Sequence, residues 1–314
     1  MTKRALTRSE FLRGGSCLAV GAVLASQGIA DAVEQFAGRP AQPASARGKG
    51  PVIKVRDFQD YVLKLKKQIA DRDTLNSDEG LMLGAPETEV RGILTCWMAT
   101  VDALERAGAE DCNLVVTHEQ FYFYPYFSVD RIQPEHLQWR PNRRRIETVQ
   151  RHRLCVMRLH GTMDLLHNFD DFVELMGLKN TKRGSGYARV FPIEETTVGE
   201  LTERVKRTLR LDRVRVVGEP GRRVRCVGVP MGGLGLDSNL SYLQSCIERG
   251  ADVLIGGEAD EYGLTFVADA GIPFIEAGHF ASENPGIINF ARHVQRDFPG
   301  LKVLSHGARP FQYR

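Results

Sequence analysis

The sequence predicts an α/β protein made of two related halves, with mixed, mostly parallel sheets around a central cleft. Two short apolar segments, Gly92–Trp97 and Asn113–Val116, have strand character, and the segment between them, Val101–Ala107, has helical spacing. This β-α-β order is typical of parallel, buried strands. Three apolar segments along the chain end in a histidine with an acid close behind. Because ligands gather beyond the carboxyl ends of parallel strands, we expect these three ends to meet.

The first 51 residues are predicted to lie outside this fold. Residues 1–35 carry early basic residues, a mildly apolar run and an A-x-A-like cleavage site at Ala30–Ala32, which is typical of an export leader. The segment Thr7–Arg13 resembles the bacterial twin-arginine motif, but Ser9 stands where the second arginine belongs. The leader predicts a periplasmic protein, and an uncleaved N-terminus would leave it cytoplasmic. Residues 36–51 have the composition of a linker.

The two predicted halves span residues 52–180 and 181–314. In the first, Asp57 is placed as the N-cap of a helix, and Arg153–Leu159 forms a third strand. In the second, Thr197 and Glu200 form a capping box at the start of a helix. Strands are predicted at Val214–Val217, Val224–Val229, Ala251–Ile255 and Pro273–Ala277, and Ser282 is expected to cap the last helix.

Composition excludes several classes of protein but does not identify the function. The chain has 314 residues, enough for a large core, and a formal net charge of only +3, so no global field favours nucleic acid. Its six cysteines form no CxxC pair, which excludes a zinc ribbon or a thioredoxin motif. The apolar run in the leader is too short and too rich in glycine for a stable membrane span.

The three strand ends carry the residue types of one polynuclear metal site. They are His118 with Glu119, His160 with Asp164, and His279 with Glu283. Imidazole and carboxylate groups are ligands for divalent metals, and a helical turn after His160 would place it on one face with Asp164. Glu258 follows another predicted strand in a glycine-opened loop, where it is a candidate general base.

Two further features leave alternatives open. The aromatic run Phe121–Phe127 is either a loop packed on the sheet or an aromatic wall of a pocket. The basic run Arg140–Arg145 is typical of a solvated helix start, and it could instead hold a phosphate or an acidic partner. Nucleic-acid binding through this run would depend steeply on salt, and the near-neutral net charge argues against it.

From Phe58 to the C-terminus the chain resembles the Nif-three-like (Ngg-interacting factor) family of dinuclear-metal proteins, also labelled GTP cyclohydrolase type-two homologues. Thr117-His118-Glu119 is similar to the family's Thr-His-His motif, His160 and Asp164 to its His-x-x-x-Asp motif, and Gly278-His279 with Glu283 to its Gly-His-x-x-x-Glu motif. The resemblance implies the central metal cleft, two divalent metal ions and a homo-oligomer, namely a toroidal hexamer.

The resemblance also implies a ligand set, consisting of His118, Glu119, Asp164, His279 and Glu283. Asp164 and Glu283 would bridge the metals, and His160 would lie beside them. Glu119 stands where the family has its second histidine. If Glu119 coordinates, the metal preference shifts from zinc towards manganese, iron or magnesium. If Glu119 does not reach, only one metal stays bound.

Two such metals would activate a water and clamp a leaving oxygen. The expected function is therefore metal-assisted hydrolysis of a small molecule: a nucleotide, a phosphoester or a cyclic amide. His160, Glu258 and Glu119 are the acid–base candidates. The alternative is a metal-binding or regulatory ring-forming protein without turnover.

Overall fold

The structure, a computed structural model, describes residues 52–125, 132–179 and 186–307. The predicted leader and residues 36–51 of the linker lie outside these ranges. The chain divides into two compact units, and the smaller one contains residues 122–153. The larger unit contains residues 49–121 and 154–314. Within the described ranges, no helix has both the length and the apolar character that a membrane crossing requires.

The smaller unit is helical, with α3 at Pro134–Leu137 and α4 at Arg140–His152. Asn142 is fully buried, and its side chain joins the helices to the preceding segment. Its Nδ2 donates to the carbonyl oxygens of Phe123 and His136, and its Oδ1 accepts from the Phe123 amide. The basic run lies at the start of α4. Arg140, Arg143 and Arg144 are exposed, as expected of a solvated helix start, whereas Arg145 is buried.

The larger unit contains two five-stranded sheets. Up to residue 175, the elements of this unit are α1 (Val55–Ala70), β1 (Gly80–Leu83), β2 (Gly92–Cys96), α2 (Val101–Ala109), β3 (Leu114–Thr117), β4 (Cys155–Arg158), α5 (Gly161–Met163), a π-helical turn (Asp164–Asn168) and α6 (Phe169–Leu175). The rest consists of β5 (Val190–Thr197), α7 (Val198–Leu209), β6 (Arg215–Val217), β7 (Arg223–Gly228), a 3-10 turn (Asp237–Asn239), α8 (Leu240–Glu248), β8 (Val253–Gly256), α9 (Glu261–Asp269), β9 (Phe274–Glu276), α10 (His279–Asp297) and β10 (Lys302–His306).

The first sheet has the strand order β1-β4-β3-β2-β10. Its strands β2, β3, β4 and β10 are parallel, and β1 runs antiparallel to β4. Every residue of β2, β3 and β4 is buried, which explains their continuous apolar sequences. The parallel carboxyl ends meet the beginning of β1 at one edge of this sheet.

The second sheet has the order β5-β7-β8-β9-β6. Its central strands β7, β8 and β9 are parallel, and β5 and β6 lie antiparallel at its two edges. The central strands of both sheets are parallel, which confirms the predicted α/β fold class. The boundary between halves at residue 180 stays a prediction, and β10 of the later segment pairs with β2 in the first sheet.

The last helix, α10, packs against the cores of both sheets. Ala281 in its first turn belongs to the core of the second sheet, and Ile287 and Phe290 belong to the core of the first. The helix begins at His279, three residues before the predicted cap. The expectation for Ser282 was wrong because its hydroxyl donates to the His279 carbonyl inside the first turn. Asp57 likewise lies at the third position of α1, where its carboxylate accepts from the Lys54 amide.

Candidate metal centre

The three predicted strand ends do meet. His118 and Glu119 directly follow β3, and His160 follows β4 after one residue. Gly278, with a φ of 95°, turns the chain after β9 so that α10 begins at His279. His279 and Glu283 are four residues apart on this helix, so both side chains lie on one face.

The carboxylate of Glu283 lies between two histidines. Its Oε2 is 3.2 Å from Nε2 of His118 and 3.2 Å from Nε2 of His279. His118 is also 3.6 Å from Oδ1 of Asp164, and His279 is 3.2 Å from Oε1 of Glu119. Three overlapping groups of side chains at this site lie close enough to hold a metal ion. The His118 group (with Asp164) and the His279 group (with Glu119) share Glu283, and the third consists of His118, Glu119 and His160.

Asp164 begins the π-helical turn and belongs to the His118 group. Asn168 Nδ2 donates to its Oδ1 over 3.0 Å, and the Tyr187 hydroxyl donates to its Oδ2 over 2.9 Å. These two donors fix the direction of the carboxylate. Asp164 belongs to one of the three groups, whereas Glu283 belongs to two.

His279 is oriented by Glu258. The Nδ1 atom of His279 lies 3.1 Å from Oε2 of Glu258, while its Nε2 faces Glu119 and Glu283. A proton on Nδ1 satisfies Glu258 and leaves the lone pair of Nε2 directed at the centre of the site. This is the arrangement by which carboxylates commonly hold metal-binding histidines.

His160 lies at the rim, close to His118 and Glu119. Its Nδ1 is 3.3 Å from Oδ2 of Asp78, which also accepts from Arg158 over 3.0 Å. The hydrogen bond with His160, opposed by partial burial and supported by the charge of Arg158, lowers the pKa of Asp78 to about 2. Asp78 is therefore ionised at neutral pH and orients the His160 ring.

Trp97 and a glycine-rich loop complete the wall around Glu283. The indole Nε1 of Trp97 donates to Glu283 Oε2 over 2.7 Å. A Cβ atom at Gly232 would clash with Glu283 Oε1, and one at Gly233 would crowd the His279 ring. The Gly232 amide donates to Ser282 Oγ, which holds this loop against α10. The loop needs glycine because its backbone lies directly on the two side chains.

The carboxylates change the protonation of both histidines. Burial opposes a charge on His118, but Glu283 and Asp164 outweigh it and raise its pKa to about 9. The pKa of His279 likewise rises to about 12, against burial, because of Glu283, Glu119 and Glu258. In return, and again against burial, His279 and His118 lower the pKa of Glu119 to about 2, and the same two histidines lower the pKa of Glu283. Burial, with the nearby Glu283, raises the pKa of Asp164.

This cluster could hold a metal ion. Three nearly buried carboxylates converge on two imidazole nitrogens, and a divalent cation would compensate their charge in the way that bound protons do in the metal-free protein. Imidazole with carboxylate is a suitable donor set for first-row divalent metals. His118, Asp164 and Glu283 lie close enough to share an ion, as do Glu119, His279 and Glu283, and His118, Glu119 and His160.

The sequence did not predict several residues that contribute to the site. Asp78 was missed because β1 runs antiparallel to β4, which brings the residues before β1 to the edge where the other strands end. Trp97 was assigned to the end of a strand, without a role at the site. The position of Trp97 directly after β2, at the same edge, was the one available signal. Asn168 gave none, because the π-helical turn that aims it at Asp164 has no clear pattern in the sequence.

The fold and the site together define an α/β protein with a histidine–carboxylate centre at the strand ends. The sequence matches the Duf34/NIF3 (NGG1p interacting factor 3) family over residues 53–308. The chain belongs to this family, as its motifs indicated.

Similar proteins agree with this assignment. The chain is 25% identical over 228 residues to a GTP cyclohydrolase 1 type 2 homolog of Clostridium acetobutylicum, covering 69% of this chain and 81% of the relative. A GTP cyclohydrolase 1 type 2 homolog of Neisseria meningitidis is 25% identical over 221 residues, covering 67% and 81%.

Solved structures share the fold. A Bacillus cereus protein related to NIF3 superposes with a TM-score of 0.67 at 16% identity, covering 84% of this chain and all of the other. Reduced HcgD from Methanocaldococcus jannaschii superposes with a TM-score of 0.60 at 17% identity, covering 81% and 98%.

Proposed function

We propose that the protein is a dinuclear-metal-dependent hydrolase that acts on a nucleotide, a phosphoester or a cyclic amide. The observation that carries the proposal is the position of Glu283 Oε2, at 3.2 Å from the Nε2 atoms of both His118 and His279. A carboxylate shared by two histidines, each with a further carboxylate of its own, is a suitable set of groups for two neighbouring ions. Such ions, when bound, lower the pKa of water and stabilise charge on a substrate oxygen.

Residues around the proposed ligands would have two further roles, namely proton transfer and orientation of a ligand. Asp78 contacts His160 through Nδ1, so Nε2 is the ring nitrogen proposed to give or take a proton beside His118 and Glu119. Glu258, expected from the sequence to act as a base, contacts His279 and is better placed to orient that ligand. With three carboxylates in the set, we expect manganese, iron or magnesium to be preferred over zinc.

Metal content and turnover together test the proposal. The chain would be purified without chelators or metal-binding tags, and bound metals would be counted by inductively coupled plasma mass spectrometry. Wild type is expected to hold two ions at the candidate centre, and Glu119→Ala is expected to hold one ion fewer than wild type. The exposed Glu261→Ala is the control that should match wild type. Hydrolysis of a panel of nucleotides, phosphoesters and cyclic amides should depend on added metal and be lost in Glu283→Gln.

The outcomes separate the proposal from its alternative. Two bound ions without turnover of any compound would favour a metal-binding or regulatory protein over a hydrolase. An absence of bound metal in wild type, after incubation with each candidate ion, would reject the site assignment itself.

A further inference from the structure

A second pair of histidines lies outside the candidate centre. His167 is in the π-helical turn and His293 is near the end of α10, and His167 Nε2 is 3.0 Å from His293 Nδ1. The side chains are 16% and 22% exposed, so the pair is partly buried but reachable from solvent. The same two elements carry Asp164 and Glu283 of the candidate centre.

The outer nitrogens of this pair each face a carboxylate. His167 Nδ1 is 2.9 Å from Oδ2 of Asp171, and His293 Nε2 is 3.5 Å from Oδ2 of Asp297. The Tyr61 hydroxyl donates to the same oxygen of Asp297 over 2.8 Å and fixes that carboxylate. A carboxylate accepts hydrogen bonds, so each outer nitrogen is best satisfied when it carries the proton.

Two neutral imidazoles carry only two N–H protons for the three polar contacts of this pair, so one contact has no proton between its atoms. If both outer nitrogens are protonated, two lone pairs face each other over 3.0 Å. If His293 instead donates its proton to His167, its Nε2 lone pair faces Asp297. A cation shared by the two inner nitrogens removes the conflict and keeps the hydrogen bond between His167 and Asp171 and the contact of His293 with Asp297.

The shared cation can be a proton or a metal ion. Burial lowers the pKa of His293, and the neighbouring His167 lowers it further against the opposing effect of Asp297, which disfavours an extra proton on His293. A metal ion needs neutral imidazoles, which is the state that this lowering favours. Two nitrogens on one tetrahedral zinc ion lie about 3.3 Å apart, close to the separation of the pair, given the usual Zn–N bond of about 2.0–2.1 Å.

We propose that His167 and His293 form a separate site for a borderline transition-metal ion such as Zn²⁺. Two imidazoles supply the protein ligands, water completes the coordination, and Asp171 and Asp297 hold the rings as outer carboxylates. An ion there would link the π-helical turn to α10, the two elements that position Asp164 and Glu283. It would therefore stabilise the geometry of the candidate centre without taking part in its chemistry.

Zinc stoichiometry tests this site in the full chain. Metal-stripped wild type, His167→Gln, His293→Gln and the control His152→Gln would be dialysed against Zn²⁺ and counted by mass spectrometry. Each of the first two variants should bind one ion fewer than wild type, and His152→Gln should bind the wild-type number. Asp171→Asn should keep the site but weaken its affinity by about 10–100-fold.

A measurement on the wild-type protein tests the site even if the variants fail to fold. Crystals grown with Zn²⁺ should give an anomalous difference peak between His167 Nε2 and His293 Nδ1. Equal zinc content in wild type and in both folded histidine variants would overturn the proposal. So would a map without that peak at a zinc concentration that saturates the candidate centre. Neither result depends on whether the candidate centre is hydrolytic.

Discussion

Trp97 donates its indole Nε1–H to Oε2 of Glu283 over 2.7 Å. That oxygen also faces the Nε2 atoms of His118 and His279, so the indole fixes the one carboxylate atom common to the His118 group and the His279 group. Trp97 further contacts the His279 ring edge-on, with ring centroids 5.2 Å apart.

This contact makes Trp97 a reporter of metal binding. The protein has two tryptophans, and the other one, Trp139, is 41% exposed in the smaller unit. We expect metal to change the fluorescence of Trp139→Phe as it changes that of wild type, and to leave Trp97→Phe unchanged. Loss of a hydrogen bond to a charged group should also weaken metal affinity by roughly 10–100-fold in Trp97→Phe. A metal response that survives in Trp97→Phe would contradict this assignment.

Replacing Glu258 should weaken one of the two ion positions. In Glu258→Gln the charged partner of His279 Nδ1 becomes a neutral amide, so the imidazole is less basic and less well oriented. We expect the affinity of the Glu119–His279–Glu283 group to fall by about 10–100-fold, while the His118 group keeps its affinity. Calorimetric titration with Mn²⁺ would measure both. Glu261→Gln is a matched control, since Glu261 is also exposed and lies in the same segment. Equal loss at both groups would count against the orienting role.

Metal binding should release protons. The pKa of His118 is raised from 6.5 to about 9 and that of His279 to about 12, so both imidazoles are protonated at pH 7 in the metal-free protein. Bound metal requires the neutral form, so affinity should increase with pH through about 9, where His118 loses its proton, and further towards about 12, where His279 does. Titration in buffers of different ionisation enthalpy should give heats that depend on the buffer. Heats independent of the buffer would show that the site is already deprotonated.

The same shifts predict how the stability of the metal-free protein depends on pH. A histidine whose pKa is raised in the folded state stabilises fully below its unfolded value of 6.5. This contribution is lost as pH increases through the folded value, about 9 for His118. The urea midpoint of the metal-free protein should therefore fall between pH 6.5 and 9. A protein saturated with metal should show a smaller fall, because the cation replaces the proton.

The sequence was sufficient to predict the fold class and to select residues that meet in space. It succeeded because buried parallel strands give continuous apolar runs, and because a side chain directly after such a run, like His118, must lie at the sheet edge. It failed where position depends on the chain direction of a distant strand, as for Asp78 before β1. It also failed for the start of α10, because Ser282 has the residue type of an N-cap but lies inside the first turn of the helix.

Gly232 should not tolerate a side chain. A Cβ atom there would clash with Glu283 Oε1, and its φ of 59° also disfavours other residues. Gly271 is a matched control because its φ of 66° imposes a similar backbone strain, but open space surrounds its Cα. We expect Gly271→Ala to lose some stability and keep the metals, and Gly232→Ala to lose metal as well. Metal analysis of both proteins, with circular dichroism to verify folding, measures this. Equal metal content in the two variants would show that the close approach of Gly232 to Glu283 is not needed for metal binding.

A buried ion pair supports the turn that carries Asp164. Lys66 and Glu79 are 1% and 0% exposed at their side chains, with Nζ and Oε2 3.5 Å apart. Glu79 also accepts from the Thr162 amide over 2.6 Å and from the Thr162 hydroxyl over 2.7 Å, which holds the first turn of α5 just before Asp164. The pair therefore connects α1 to the segment between His160 and Asp164.

Breaking this pair from one side should be costly. Lys66→Met leaves the Glu79 carboxylate buried without its cation, so we expect a loss of ~3–5 kcal/mol in the free energy of unfolding, measured with urea. Lys206→Met is the control, since Lys206 pairs with Glu203 at the surface and should change stability little. The double variant Lys66→Met/Glu79→Gln should recover part of the loss, because the unpaired charge is gone while the amide oxygen still accepts from Thr162. A double variant less stable than Lys66→Met would mean that the Glu79 charge is stabilised mainly by Thr162 and not by Lys66.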